Sequence, residues 1–323
     1  MKLQILLSDP ADALPAMAAD QALLQMMARG EKQWLDMGRE VYLCQQFGVS
    51  KQQDWPMAAL ARLGAGLPAD HAYWMLVSPV HLLLQRDSFA LSQPAPLALS
   101  IDECEALRNS LNRHFEGEGL EFMPGAQGHW HLRLQSMPAL ATTPIGMVAG
   151  RDITSWMPQG DDAQRWRQLT NEMQMLLFSH EVNQAREARG ELAANSVWLH
   201  GGGILPGTGQ SLNCAVYSED VSVKGLAILA GLRHATDTNL HAVLQDAQER
   251  AVVQSAYTNL GAGWSSVCWQ ALRARRLQQL DLYFSWFDRM LHVRLKPMDV
   301  YKFWRKPIAL EAYFDGSDHT KKY

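Results

Sequence analysis

The residues best suited to chemistry fall in one stretch, 180–203, HEVNQAREARGELAANSVWLHGGG. His180, Asn183 and Arg186 recur at steps of three, a spacing that puts them on one helical face and lets them converge on one ligand. Asn195, His200 and the run Gly201, Gly202, Gly203 follow as strand and loop. Such a set supplies hydrogen-bond donors, one permanently charged guanidinium, and backbone that a ligand can approach closely. It suits an anion or another small molecule. A structural reading competes with this one. Asn side chains satisfy turn amides, Gly190 can end the helix in the left-handed conformation, and the glycine run lets a loop pass close to other backbone.

Other combinations are weaker. His129 and His131 alternate in HWHLRL and so share one face of a strand, but no third metal ligand is identifiable beside them. His234, Asp237 and His241 stand at steps of three and four, compatible with one helical face. No GK[ST] follows the glycines, GxGxxG is absent, and no GxSxG elbow exists. Arg273, Arg275 and Arg276 read as a solvated helix face, and Trp264, Trp269, Trp286 and Trp304 as core or partner-facing anchors. No resident metal or cofactor is expected.

The elements that must position these residues can be sketched from periodicity. KLQILL (2–7) reads as a buried strand, and 12–48 as helical, with Leu23, Leu24, Met27 and later Trp34 and Leu35 at helical spacing, broken near Gly30 and Gly48. YWMLVSPVHLLLQ and SFAL read as strands joined through Arg86-Asp87. Ser100 and Glu103 form a capping box before a helix whose stripe is Cys104, Leu107, Leu111 and Phe115. A second helix, capped at Asp161 or Asp162, carries Trp166, Leu169, Met173, Leu176 and Leu177 and runs into the 180–203 motif. AANSVWLH then reads as strand, GGGILPGTG as loop, LNCAVYS as strand and VSVKGLAILAG as helix. Stretches near 240–258 and 264–279 read as helices; LDLYFSWF and MLHVRLK read as paired strands. Strands and helices alternate, which predicts an α/β fold with a mixed sheet flanked by helices.

Composition narrows the classes. The 323 residues are 47% hydrophobic and carry a net charge of −4, enough for a large core and no attraction to nucleic acid or an anionic membrane. No apolar run is long enough to span a bilayer. The first strand is too short for a signal peptide. Four widely spaced cysteines fit a reducing compartment, so a cytoplasmic location is expected.

The order of LNRHFEGEGLEFMPG, HWHLRL, TTPIGMVAGRDITSWMPQGDD, HEVNQAREARGELAANSVWLHGGGILP and VKGLAILAGL resembles archaeal-type cofactor-independent phosphoglycerate mutases of the alkaline phosphatase superfamily. The whole chain is most similar to RpfE-type regulatory proteins, a bacterial group. The resemblance implies a reduced alkaline-phosphatase-like core (1–69 and 191–323) around a substrate-binding-like subdomain (70–190). It implies a Ser nucleophile between two divalent metals, with Asp-Gly after the first strand and late Asp/His ligands. Here the strand ends Ser8-Asp9-Pro10, the nucleophile segment is nearly absent, and no Asp-x-x-Gly-His element follows Gly231. Trp130 stands where a phosphate-contacting Arg is implied, whereas His180, Asn183, Arg186 and Asn195 match. The expected role is therefore non-catalytic: a regulatory or interaction protein with a protein partner or an anionic metabolite bound at His180, Asn183, Arg186, Asn195, His200, Gly201 and Gly203. The alternative is a divergent metal-dependent mutase or phosphatase using Asp9 and the His/Asp set after Gly231, which begins with His234, Asp237, His241 and Asp246.

Overall fold

The computed structural model describes residues 1–8, 10–68, 70–85, 88–92, 97–126, 128–210, 212–246 and 249–314. In chain order the strands are β1 (Lys2–Ser8), β2 (Glu31–Leu35), β3 (Tyr73–Val80), β4 (Leu82–Leu84), β5 (Phe89–Leu91), β6 (Leu120–Pro124) and β7 (Trp130–Leu134). They continue as β8 (Ser196–Gly203), β9 (Ala215–Ser218), β10 (Arg233–Ala235), β11 (Arg250–Ala256), β12 (Gln279–Trp286) and β13 (Arg289–Leu295). Helices are α1 (Pro10–Ala19), α2 (Gln21–Arg29), α3 (Arg39–Gln46), α4 (Met57–Gly64), α5 (Ile101–His114) and α6 (Ile145–Val148). After these come α7 (Ala163–Phe178), α8 (Glu181–Ala188), α9 (Val221–Leu229), α10 (Leu240–Val243) and α11 (Trp264–Arg273).

The chain divides into two compact units, Met1–Gly48 with Gly209–Tyr323, and Val49–Thr208. The segment expected as a subdomain, 70–190, lies within the second unit, whose bounds fall at 48/49 and 208/209. The reason is pairing: β8 lies antiparallel to β3, Ser78 opposite Trp198 and Leu76 opposite His200, and α4 packs on both strands. Neither α4 nor β8 belongs to the outer unit.

The outer unit is built on a seven-stranded mixed sheet, ordered β10-β9-β11-β1-β12-β13-β2, so the expected fold class holds. Alternation in KLQILL explains β1. Leu3, Ile5 and Leu7 face the apolar core with α2 and α11, while Gln4 lies on the other face in register with Asp281. Asp281 is buried there and accepts from His292 Nε2 at 2.7 Å, Arg294 Nε at 2.9 Å and Gln279 Nε2 at 2.6 Å. Burial works to raise its pKa, but those donors outweigh it and hold the carboxyl below its usual range.

Two stretches expected as helix are strands. EKQWL (31–35) pairs antiparallel with β13, and RAVVQSA (250–256) is central, parallel to β1 and β9. Helix α2 stops at Gly30, whose ψ of 157° turns the chain extended, so Trp34 and Leu35 lie beyond its stripe. The expected pairing of LDLYFSWF with MLHVRLK is present as β12 and β13.

The inner unit is a four-stranded antiparallel sheet, ordered β6-β7-β3-β8. One face packs on α5 and α7 through the predicted stripes Leu107, Leu111, Phe115 and Trp166, Leu169, Met173, Leu177. The Ser100/Glu103 capping box opens α5 as read. Asp162 stands at the start of α7 without capping it; its carboxylate accepts from the Ala139 amide instead. β4 and β5 form a hairpin, and its expected Arg86-Asp87 turn lies outside the described residues.

Candidate functional site

Each matching polar residue of the 180–203 motif holds a separate part of the fold. His180 caps α8: its Nδ1 accepts from the Val182 amide at 3.2 Å, and its Nε2 pairs with Ser110 Oγ at 2.9 Å. Asn183, 1% exposed, donates to the carbonyls of Leu177 (2.7 Å) and Ala194 (2.9 Å) and accepts from the Ala194 amide at 2.8 Å. It thereby ties the end of α7 to the start of β8. Arg186 donates to the Leu192 carbonyl (2.9 Å), the Ala98 carbonyl (3.4 Å) and Glu103 Oε2 (2.9 Å), with Glu191 also at 3.2 Å. Asn195 exchanges two bonds with the Leu82 backbone. The spacing of three sets His180, Asn183 and Arg186 along α8 and its cap. Their hydrogen-bonding groups are directed to backbone, to Ser110 and to two carboxylates.

These contacts are specific enough to test. Asn183→Ala orphans two buried backbone groups of Ala194 and the Leu177 carbonyl, and is expected to cost at least about 2 kcal/mol in a urea-unfolding measurement. An effect below about 0.5 kcal/mol would show that the joint is not held this way.

Gly201 and Gly203 belong to β8 and not to a loop. A Cβ on Gly203 would meet Pro56 Cβ at 2.6 Å. One on Gly201, at φ +66°, would meet Met57 Cβ at 2.9 Å. The glycines admit the start of α4 against the strand.

Polar groups do gather on the sheet face opposite α5 and α7. Leu76 pairs across the sheet with both His131 and His200. Two residues on, Ser78 Oγ lies 2.7 Å from His129 Nδ1 and 3.4 Å from His200 Nε2. His131 and His200 are 2% and 3% exposed. Neither nitrogen of His131, nor Nδ1 of His200, makes a hydrogen bond of normal geometry. Burial lowers the pKa of His200 to about 3, with His129 adding to the effect, and that of His131 to about 4, with Arg62 adding. Arg62, 4% exposed, lies over the Trp74 ring at 3.5 Å and donates to the Pro68 carbonyl. Nearby, the Asp54 carboxylate accepts from the Trp55 and Thr142 amides and the Thr142 hydroxyl; burial nevertheless raises its pKa.

This arrangement offers neutral imidazoles, a hydroxyl and one guanidinium. It can exchange hydrogen bonds with an uncharged polar group. The two buried imidazoles stay uncharged near neutrality and lend no positive charge to grip phosphate. Ser78 and His129 have the contact distance of a nucleophile and its base, but Ser78 sits 4% exposed within a strand. Sequence reasoning found His129 and His131 on one face and missed Ser78, Asp54, Arg62 and Thr142. The lone Ser in the apolar run YWMLVSPV was the available signal. Trp130 points the other way, into the α5/α7 core.

The late His/Asp set disperses. His234 lies in β10 and contacts the Ser218 carbonyl, Asp237 accepts from the Asn239 amide, and His241 Nε2 lies 3.3 Å from the Ala262 carbonyl. Asp9 lies outside the described residues. Among the described residues no group of three His, Cys, Asp or Glu side chains could hold a metal ion. Those residues therefore do not fit a two-metal centre.

No family model matches the chain. Over 163 residues it is 27% identical to a probable 2,3-bisphosphoglycerate-independent phosphoglycerate mutase of Geobacter sulfurreducens, covering 48% of this chain and 41% of that protein. Over 142 residues it is 30% identical to such a mutase of Methanosarcina mazei, covering 42% and 36%. Part of the chain is similar to 2,3-bisphosphoglycerate-independent phosphoglycerate mutases. The chain spans about two fifths of the length of these curated relatives. Among solved structures, the cofactor-independent phosphoglycerate mutase of Thermoplasma acidophilum aligns over 98% of this chain and 95% of its own, with 14% identity and a TM-score of 0.42. A Pyrococcus horikoshii protein aligns over 91% and 87%, with 12% identity and a TM-score of 0.47. No helix among the described residues is long and apolar enough to cross a membrane.

Proposed function

We propose that this chain is a non-catalytic regulatory or interaction protein derived from a mutase-like ancestor, working in the cytoplasm without nucleic acid or membrane. One observation supports this above the others. The polar residues shared with the mutase pattern, His180, Asn183, Arg186 and Asn195, brace the joint between α7, α8 and β8. What the pattern retains is scaffolding. The ligand favoured by this reading is a protein partner, with a small anionic metabolite as the alternative.

The test is turnover by the full chain. Purified protein with Mn²⁺ or Mg²⁺ is expected to interconvert neither 3- and 2-phosphoglycerate nor to release phosphate from either. Metal-dependent turnover abolished by Asp9→Ala would replace this reading with a divergent mutase or phosphatase, the alternative favoured by the similarity to curated mutases.

A further inference from the structure

Alternation along β8 puts Val197 and Leu199 on the face that packs with the α5/α7 core, and Ser196 and Trp198 on the other. There Trp198 joins Val80, Leu82, Leu91, Val148 and Ile153 in a small apolar cluster of its own. Beside that cluster, within the inner unit, lies a cavity of about 420 Å³, a volume in the range of ligand sites. We propose that this cavity binds an uncharged, flat apolar compound, one hydroxyl or N–H of which donates to Ser196 Oγ.

Three features choose the occupant. First, the cavity has a mouth and a floor. Leu84, 78% exposed, and the exposed Asn171 of α7 stand at the mouth, whereas Ile153, Ser196 and Trp198 at the floor are buried. A compound can enter past the first pair and shed its water at the second. Second, the rings of Phe89, Trp156 and Trp198 all line the cavity, and aromatic faces and edges favour a flat partner. Third, the polar groups along the wall are unequally engaged. Trp198 Nε1 donates to the Thr143 carbonyl at 2.8 Å, and Thr170 Oγ1 donates to the Trp166 carbonyl at 2.8 Å. Ser196 Oγ, on a residue 1% exposed, makes no hydrogen bond. A buried hydroxyl left unpaired is costly, and a donor on the ligand would satisfy it. The same floor disfavours a charge, which would exchange its hydration for one neutral hydroxyl. The site is confined to described residues, and 86 and 87 are not among them.

The cavity shares no residue with the brace of His180, Asn183, Arg186 and Asn195, nor with the cluster of Ser78, His129 and His200. The inference therefore goes beyond the non-catalytic reading, and its test is independent of the turnover assay. The probe is 2-naphthol, equilibrium-dialysed against the full chain. Naphthalene, with the same rings and no hydroxyl, and naphthalene-2-carboxylate, which carries a charge, are run beside it. Saturable binding of 2-naphthol is expected, with the carboxylate at least about tenfold weaker. Ser196→Ala is expected to weaken 2-naphthol about fivefold and to leave naphthalene unchanged. It should also keep the melting temperature of the free protein at or above the parent's, because folding forms no hydrogen bond through that hydroxyl. Asn171→Trp, at an exposed position, sets a ring in the mouth and is expected to weaken both neutral probes. Absence of 2-naphthol binding, or carboxylate binding as tight as that of the alcohol, would overturn the proposal. So would equal responses of 2-naphthol and naphthalene to Ser196→Ala, or indifference of both to Asn171→Trp. Mutase turnover with intact 2-naphthol binding would overturn only the non-catalytic reading.

Discussion

Arg186→Ala should destabilise the inner unit by about 3–5 kcal/mol, the scale seen when one partner of a buried ion pair is removed. The side chain is only 4% exposed, and its partner Glu103 is 16% exposed. Removing the guanidinium strips Glu103 of one of its two arginines and leaves the Leu192 and Ala98 carbonyls without their donor. Glu103 also closes the capping box of α5, so the loss reaches a second helix. Arg186→Lys should recover little, because an ammonium cannot reproduce the planar fork that meets a carboxylate and two carbonyls together. Urea denaturation followed by far-UV circular dichroism measures this directly. A loss below about 1 kcal/mol would return Arg186 to the pool of groups free to hold an anion. Under the present reading, melting shifts with phosphometabolites should be the same in the parent and in a refolded Arg186→Lys variant.

Stability should fall steeply on mild acidification. His131 and His200 resist protonation in the folded state until about pH 4 and about pH 3, against 6.5 for a free imidazole. Between these limits the unfolded chain binds more protons than the folded one, so protonation favours unfolding and stability decreases as pH drops below 6.5. The slope is up to about 1.4 kcal/mol per pH unit for each imidazole. Asp281 and Glu103, whose folded pKa values are depressed, lose their contributions only as pH falls below the ordinary carboxylate values of 3.8 and 4.5. In the window from 6.5 to 4.5 the two imidazoles act in the same sense as His234, whose pKa burial also lowers, while Asp54, whose pKa burial raises, opposes them; comparison with the double variant separates the share of His131 and His200. Unfolding free energies at half-unit steps, for the parent and for His131→Gln with His200→Asn, should show the slope flattened in the double variant. An unchanged slope would place the titrating groups elsewhere.

Much of the architecture was legible where a single periodicity ruled. The capping box at Ser100, the stripes of α5 and α7, and the β12/β13 hairpin follow from local pattern alone. Failures came where a short apolar run fits two periods. RAVVQSA is buried on both faces between β1 and β9, so no alternation marks it as strand. The candidate site was hidden for a different reason. Spacing placed His180, Asn183 and Arg186 together, but whether a polar side chain meets a ligand or a backbone carbonyl depends on partners far along the chain. Glu103 lies 83 residues from Arg186, and Leu82 lies 113 from Asn195. Ser78 stands 51 residues from His129 and 122 from His200, so no local motif could announce that cluster.

The nesting of one unit inside the other sets an order of events during synthesis. Residues 49–208 are contiguous, so every strand of the inner sheet is available once the ribosome has passed that point. β1, made first, has no permanent neighbour until β11 and β12 emerge more than two hundred residues later. For the intervening seconds of translation the nascent chain carries a finished module behind an unpaired, leucine-rich strand. Slowed elongation between residues 209 and 286 should lengthen the time that strand waits for its neighbours.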